Sequence, residues 1–521
     1  MPAMSRRVLA LSTAAAVAAL YLPPGADAAE CTSDELPEIQ WAMGSNRIYV
    51  RSGCARISDI MAERTDNTGQ KGPIYHFDQE SNSIVDEYTG TYYMTAHIHI
   101  TDGATLEIDG NDEGDEEGGC KTLLLASNSE ITMTDSLNIR AHGGNLIVRD
   151  TKIFSWDITT GTYDLETDDG RAYLSAVTEF LTGRDIDTCP GDENAGTSGY
   201  STGQALNEMG VARMDIYDSE IAYLGYSASE SYGVAYKARG LCKTLENLDI
   251  FDDTQDFDYA VYGDILNSEL HHNWFGHYSY GHQGGKWNYN VVHDNVGYGF
   301  DPHDDSDHLE IIGNTVYNNG DHGIIASKRC TDITIADNKV YNNAKNGIML
   351  HRQCDRAEVY GNYVYENGDA GLALYESSDC LVYDNRFFWN DRGVRWSNGA
   401  NRNRVYSNKI KMDEGSDYAL YLYRGNDEPE AEGNEDGHPI NNKIYKNKIW
   451  SGEDEVLRMD NADSNSFWKN IFNTGSKATF NECTNNKILS NNEFPEGFDF
   501  SVSDSCFHSK SIVEELEDDL C

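Results

Sequence analysis

The sequence predicts an all-β protein, a right-handed parallel β-helix carrying a loop or lid insertion. Three observations lead there. The segments "YNVVHDN", "GNTVYNN", "DNKVYNN", "GNYVYEN", "DNRFFWN" and "SNKIKMD" repeat one pattern. Their leading asparagines, Asn290, Asn314, Asn338, Asn362, Asn385 and Asn408, step by 24, 24, 24, 23 and 23 residues. A second column of glycines, Gly299, Gly323, Gly347, Gly371 and Gly393, mostly precedes short apolar runs such as "GIIAS", "GIML" and "GLALY". Between these corners the units are rich in Val, Ile, Tyr and Thr, a composition of short strands and turns rather than helices. Such a period belongs to a solenoid whose coils stack on one another. Leucine-rich repeats have a similar period, but their leucine consensus is absent. An asparagine at a recurring corner hydrogen-bonds to its neighbour in the next coil and tolerates left-handed φ.

The elements follow in chain order. A chain of 521 residues exceeds one compact core unless the fold is elongated or repeating. Residues 1–28 read as a secretory signal: Arg6 and Arg7, an apolar run over 8–22, and the small-residue site Ala26-Asp27-Ala28. The apolar run is short for a membrane span. The mature chain is therefore expected to start near Ala29 and to be secreted, to an extracellular matrix or cell wall. Residues 29–210 form less regular N-terminal coils, in which "YMTAHIHITDGATLEIDG" and "SEITMTDSLNIRAHGGNLIVRDTKIF" alternate apolar and polar residues. Within them, 159–203 is polar and turn-rich, a candidate lid. Residues 211–500 are the catalytic coils. The acidic stretch "RGNDEPEAEGNEDGH", 424–438, interrupts their repeat as a surface insertion, and 501–521 is a tail.

The formal charge of −47, from 87 acidic and 40 basic residues, argues against nucleic acid and anionic membrane as partners. It suits a soluble monomer in a salty medium, where screening weakens self-repulsion. All 11 cysteines follow the signal, where disulfides are permitted, and the odd number leaves at least one unpaired. No C-x-x-C occurs, so no zinc site is expected. "DGNDEGDEEGGC", 109–120, begins like a calcium loop but lacks the closing glutamate, and reads as an acidic turn with at best weak calcium affinity.

Equivalent positions of successive coils stack about 4.8 Å apart. Four residues after each corner glycine stand His303, Ser327, His351, Tyr375 and Ser397, and just beyond them Asp304, Lys328, Arg329, Arg352 and Glu376. A strongly acidic chain thus gathers two histidines, two arginines and a lysine on one strip. Such a strip binds an extended anion, and an arginine clamps a carboxylate through paired hydrogen bonds. The bland alternative is that these cations only neutralise the aspartates of "YGFDPHDDSDHL", 298–309. Histidine is a good general base. Asp301 and its neighbours would orient His303, Arg329 would hold a substrate carboxylate, and Tyr298 would carry a proton on the other face or serve for stacking. A base beside a carboxylate clamp suits removal of a proton from the carbon next to that carboxylate. Lys328, His351, Arg352, Asp304 and Tyr375 are the expected substrate-binding residues. His308 has no place in the columns and reads as a surface histidine.

"YGFDPHDDS", "HGIIASKRCTDITIADNKVYNN" and "GLALYESSDCLVYDNRF" resemble the mannuronan C5-epimerases, both the bacterial periplasmic enzymes and the secreted enzymes of brown algae. The likeness is dense from about Ile221 to Asn408. It implies conversion of β-D-mannuronate to α-L-guluronate within alginate, without breaking the chain; the sequence itself requires no cofactor and leaves calcium open. By the resemblance, His303 is the base, Arg329 neutralises the substrate carboxylate, Asp301 is the motif aspartate, and Tyr298 matches a second proton carrier of the modular bacterial branch. That branch has an aspartate where this chain has Ser327, and an Arg-His pair where it has Lys345-Asn346. Its calcium-binding nonapeptide modules are missing. Both departures favour the periplasmic pattern, in which water is the acid. The residues leave open a polysaccharide lyase, which shares the first step, and a non-catalytic polysaccharide-binding helix. Hydrolysis by Asp301, Asp304 and Asp305 ranks last, because it has less use for a basic strip.

Overall fold

The computed structural model describes residues 36–62, 72–111, 118–127, 136–168, 170–179, 211–228, 231–239, 260–431 and 434–502. The signal, the lid from 180 onward, residues 112–117 of the acidic turn and the tail from 503 onward lie outside the described residues.

The strands form three long sheets of 16, 14 and 16 strands, and each coil contributes one strand to each sheet. One coil shows the pattern. Ile324–Ser327 enters the first sheet, Thr334–Ala336 the second and Lys339–Tyr341 the third. Each pairs in parallel with its equivalents one coil before and one coil after. The N-terminal coils join the same sheets: Asn138–His142 pairs with Tyr173–Glu179, and that strand with Gly233–Arg239. Part of the expected lid is therefore a strand of the first sheet. Its alternation "YLSAVTE" turns Leu174 and Ala176 into the core, and this outweighs the turn-rich composition around it.

The core is a set of inward columns. Ile324, Ile348, Leu372 and Val394 stack in the first sheet, Ile311, Ile335, Val359 and Val382 in the second, and Val316, Val340, Val364 and Phe387 in the third, all fully buried. Each such side chain contributes roughly 1.5–3 kcal/mol over leaving it in water. Outward rings stack at the same repeat: Tyr360, Tyr383, Tyr406, Tyr445 and Trp468 follow one another with centroids 5.0, 5.2, 4.9 and 4.4 Å apart. At the N-terminal end, the antiparallel strand Glu38–Ala42 and the short helix Ile57–Ala62 close the stack. Ile57 and Ile60 plug the open core, as a solenoid end requires.

The asparagine corners work as a ladder. Asn362 Nδ2 donates to Ile335 O at 2.8 Å and to Asn385 Oδ1 at 2.9 Å, while its Oδ1 accepts from Asn338 N at 2.9 Å. A second ladder, Asn295, Asn319, Asn343, Asn367 and Asn390, runs along the next corner. The left-handed residue is not the ladder asparagine but the one before it: Gly313, Asp337, Gly361 and Asp384 have φ of 71, 54, 68 and 55°. The asparagine side chain is thereby aimed along the stack. The corner glycines serve packing rather than φ. A Cβ on Gly323 would lie 2.5 Å from Val340 Cγ1 and 2.8 Å from Gly347 O.

Five described cysteines, Cys120, Cys330, Cys354, Cys380 and Cys483, are buried thiols. Cys330 Sγ donates to Ser327 O at 3.2 Å and Cys354 Sγ to His351 O at 3.3 Å. They pack as small apolar groups in the core, so they do not supply the disulfides that a secreted chain permits.

Asn362→Ala removes a side chain that bridges three coils and strands the buried Asn338 amide. We expect a loss of roughly 2–4 kcal/mol, read as a lower guanidinium midpoint. An unchanged midpoint would show that the ladder bears no load.

Candidate active site

The strand Phe300–His303 belongs to the first sheet, and alternation sorts its side chains. Phe300 and Pro302 are buried, while Asp301 and His303 share the outer face. The register runs Lys237, Tyr280, His303, Ser327, His351, Tyr375 and Ser397. The column expected from the glycine spacing is therefore the one formed. Beside it runs a second, which includes Tyr278 next to Asp301, then Met349, Ala373, Arg395, Tyr421 and Arg458. Ile325 and Met349 are almost fully buried and form an apolar floor against which Tyr298 and Tyr375 pack.

A tight turn follows each of these strands. Asp304 and Asp305, Lys328 and Arg329, and Arg352 and Gln353 all have positive φ, between 33 and 62°. Such backbone is uncommon outside glycine and clusters at functional sites. The turns stack through Asp304 N to Ser327 O at 2.8 Å, Lys328 N to His351 O at 2.7 Å and Arg352 N to Tyr375 O at 2.8 Å. The charged side chains of three coils are thereby brought into one row.

His303 Nδ1 is hydrogen-bonded to Asp304 Oδ2. Burial works to raise the Asp304 pKa, but the His303 hydrogen bond and the charges of His303, Lys328 and Arg329 hold it below the usual carboxylate value. Ionised Asp304 only accepts, so Nδ1 carries the proton and Nε2 is left as the basic nitrogen. Arg329 fixes the carboxylate in turn: Nη2 donates to Asp304 Oδ1 at 2.9 Å, Nε to Asp305 Oδ1 at 2.9 Å and Nη2 to Asp305 Oδ2 at 3.1 Å. The expected clamp on a substrate carboxylate is here engaged with the protein's own aspartates. Lys328 has no ion-pair partner among the described residues, which leaves an uncommitted positive charge beside His303.

Asp301 is 2% exposed, and its Oδ1 has no hydrogen-bond partner. Burial, with Asp304 and Asp321 nearby, pushes its pKa up to about 7 against the opposing pull of His303 and Lys328. Tyr298 stacks on His322 at 5.6 Å and lies 4.8 Å from Phe275, and burial with Asp321 and Asp301 pushes its hydroxyl up to about 12. His322 accepts from Asn346 N at 3.0 Å on Nδ1 and is held down at about 4, mainly by burial. Lys345, where the modular branch has arginine, pairs with Asp321 at 2.7 Å. His351 Nδ1 lies 3.0 Å from Ser327 Oγ, and burial and neighbouring cations lower it to about 4. Arg352 and Tyr375 face the insertion at 424–438.

All nine expected site residues thus lie on one face and its adjoining turn. Sequence reasoning missed Lys237, Tyr278 and Tyr280. Lys237 Nζ sits 5.3 Å over the Tyr280 ring, and the Tyr278 ring lies 5.9 Å from His303. The spacing had no signal for them, because the coils before Asn290 depart from the regular period. No group of three or more His, Cys, Asp or Glu among the described residues is placed to hold a metal ion.

Asp301 titrates higher folded than unfolded, so the native state holds a proton that the unfolded chain releases above about pH 4. Its stabilising contribution is present at low pH and is lost as pH rises through about 7. Asp301→Asn, neutral throughout, should gain stability relative to the parent between those limits, by a few kcal/mol, and no further above them. A difference in denaturation midpoint that stays flat from pH 4 to 8 would contradict this environment for Asp301.

The right-handed beta helix region family matches residues 216–362 and again 304–436. A mannuronan C5-epimerase of Pseudomonas putida is 33% identical over 195 residues, 37% of this chain and 31% of that one. The Azotobacter vinelandii mannuronan C5-epimerase AlgG is 28% identical over 336 residues, 63% of this chain and 52% of that one. The chain thus spans about a third of the length of the first of these relatives and about half of the second. Among solved structures, the periplasmic alginate epimerase AlgG superposes with a TM-score of 0.57 at 17% identity, covering 96% of this chain and 100% of that one, a likeness of fold. By its coils the chain is a parallel β-helix protein, and over part of its length its sequence is similar to mannuronan C5-epimerases.

Proposed function

We propose that this protein is a mannuronan C5-epimerase acting on alginate. The observation that carries the reading is the fixed order Arg329–Asp304–His303, which leaves His303 Nε2 as a base on a face lined with cations. Nε2 takes the C5 proton of a β-D-mannuronate residue, and the C5–H electron pair passes into the adjoining C5–C6 bond and the carboxylate. Lys328, with the positive field of Arg329, stabilises the charge that builds on that carboxylate. A proton delivered to C5 from the opposite face, by Tyr298 or water, gives α-L-guluronate. Tyr298 holds its proton at neutral pH, as a donor must. Asp301, close to half-protonated near pH 7, lies between the two and limits the negative charge at the site.

The face suits a polymer. Along it, Arg51, Lys237, Lys328 and Arg352 on one side and Arg140, Arg395 and Arg458 on the other form a basic strip in a chain of net charge −47. Arg140 bonds only Ser175 Oγ at 3.3 Å and Tyr173 Oη at 3.1 Å, with no carboxylate partner among the described residues. The apolar floor of Ile325 and Met349 offers the faces of sugar rings a dry surface. We place the enzyme outside the cytoplasm, in a cell-wall or matrix setting. The periplasmic relative and the signal-like 1–28 support this.

The test is proton NMR of polymannuronate incubated with the protein in D2O. Guluronate signals with deuterium at C5 and undiminished chain length are expected. His303→Ala should lose at least about 10²-fold in turnover, and Arg329→Ala should lose activity through the tautomer it holds. Unsaturated ends in place of guluronate would make the protein a lyase, and full activity in either variant would sink the site assignment.

A further inference from the structure

The asparagine ladder takes one long step. Asn403 bonds Asn442 and Asn408 bonds Asn447, each 39 residues on. The extra residues are the acidic insertion, which leaves the first sheet after Leu420–Tyr423 and folds back over it toward His303. Asp427 Oδ2 accepts from Tyr375 Oη at 2.5 Å and lies 3.8 Å from Arg352 Nη2. Glu430 Oε1 pairs with Arg352 Nη1. The amides of Glu430 and Ala431 both donate to Glu376 Oε1, the latter at 2.6 Å, and Glu376 is 2% exposed. A buried carboxylate therefore anchors the backbone of the strap, while two carboxylates at its tip reach the cation and the phenol of the groove.

The contacts made at that tip are those that a uronate makes. One carboxylate is set against a guanidinium and another against a hydroxyl donor, over a floor that includes Ala373 and Tyr375. Arg352 stands two coils beyond His303 and Tyr375 three, or about 10 and 14 Å along the stack. In a basic groove that serves a polyanion, this is where the bound chain would continue past the reacting sugar.

We propose that the strap 427–431 is a built-in substrate mimic. Asp427 and Glu430 occupy the uronate carboxylate positions at Arg352 and Tyr375, so strap and polymer compete and the strap sets how far the bound chain extends beyond His303. This rests on the reading of the groove as a polyuronate site. The closed strap restricts binding on this side to the coils around His303, Lys328 and His351. A longer chain engages Arg352 only by displacing the two carboxylates. The anchor at Glu376 keeps the strap near while its tip exchanges.

The experiment is titration of the full chain with polymannuronate by calorimetry, in the parent, in Asp427→Asn/Glu430→Gln, in Glu376→Ala and in each of these with Arg352→Ala. Freed of its competing carboxylates, Arg352 should bind the polymer about two- to tenfold more tightly in both strap variants, the scale of one or two exposed ion pairs. The gain should vanish in the Arg352→Ala backgrounds, and short mannuronate oligomers that end before Arg352 should show none. Parent and strap variants binding the polymer equally, or the variants binding it more weakly, would overturn the mimic and leave the groove intact. A parent that binds no polymannuronate at all would overturn the polyuronate reading, and the mimic with it. Melting curves for both strap variants separate a binding effect from a folding defect.

Discussion

The spacing between stacked strands, about 4.8 Å, governs this molecule. Every coil must bring a strand, a corner and a strand back into register with the coil below. Each recurring residue is therefore copied at the same interval, whether apolar, amide or charged. Inside, the copies make continuous apolar columns. At the corners they make asparagine ladders in which each Oδ1 accepts from the amides of the coil before, and each Nδ2 donates to a backbone carbonyl of that same coil and to the asparagine Oδ1 of the coil after. Outside, the copies make rows of function, and a row cannot be shifted by one residue without turning its side chains into the core.

The candidate site draws on that regularity and departs from it in one respect. The turns after the first-sheet strands carry consecutive residues at positive φ without glycine, and in three successive coils these are Asp304 and Asp305, Lys328 and Arg329, and Arg352 and Gln353. The backbone ladder between the turns offsets the local strain. It sets a guanidinium against two carboxylates and one of those carboxylates against an imidazole. The tautomer of His303 is thus settled two contacts away, by Arg329. The arginine acts here as a positioning group, and the uncommitted cation is its neighbour Lys328.

Charge is distributed unevenly over this acidic chain. The net charge is −47, yet the first-sheet face gathers a row of cations. Several are already paired: Arg329 with Asp304 and Asp305, Arg352 with Glu430, and Arg458 with Asp460 at 2.7 Å. Internal pairing lowers the cost of gathering like charges in one groove. Under the proposed function it also makes binding an exchange of carboxylate partners rather than a simple gain.

The sequence by itself determined the coil, its period, the face and the row of His303, Lys328, Arg329, His351, Arg352 and Tyr375. All of these follow from spacing, because a solenoid converts an interval along the chain into a distance in space. It also showed the insertion at 424–438 as a break in that spacing, but not where its acidic residues would come to rest. The tertiary structure alone decided three things. It gave Arg329 to Asp304 and Asp305, because side-chain reach and turn φ are not written in a period. It brought in Lys237, Tyr278 and Tyr280 from coils whose repeat is irregular. And it laid Asp427 and Glu430 on Tyr375 and Arg352, a contact across more than 50 residues that depends on how a loop folds back over the sheet.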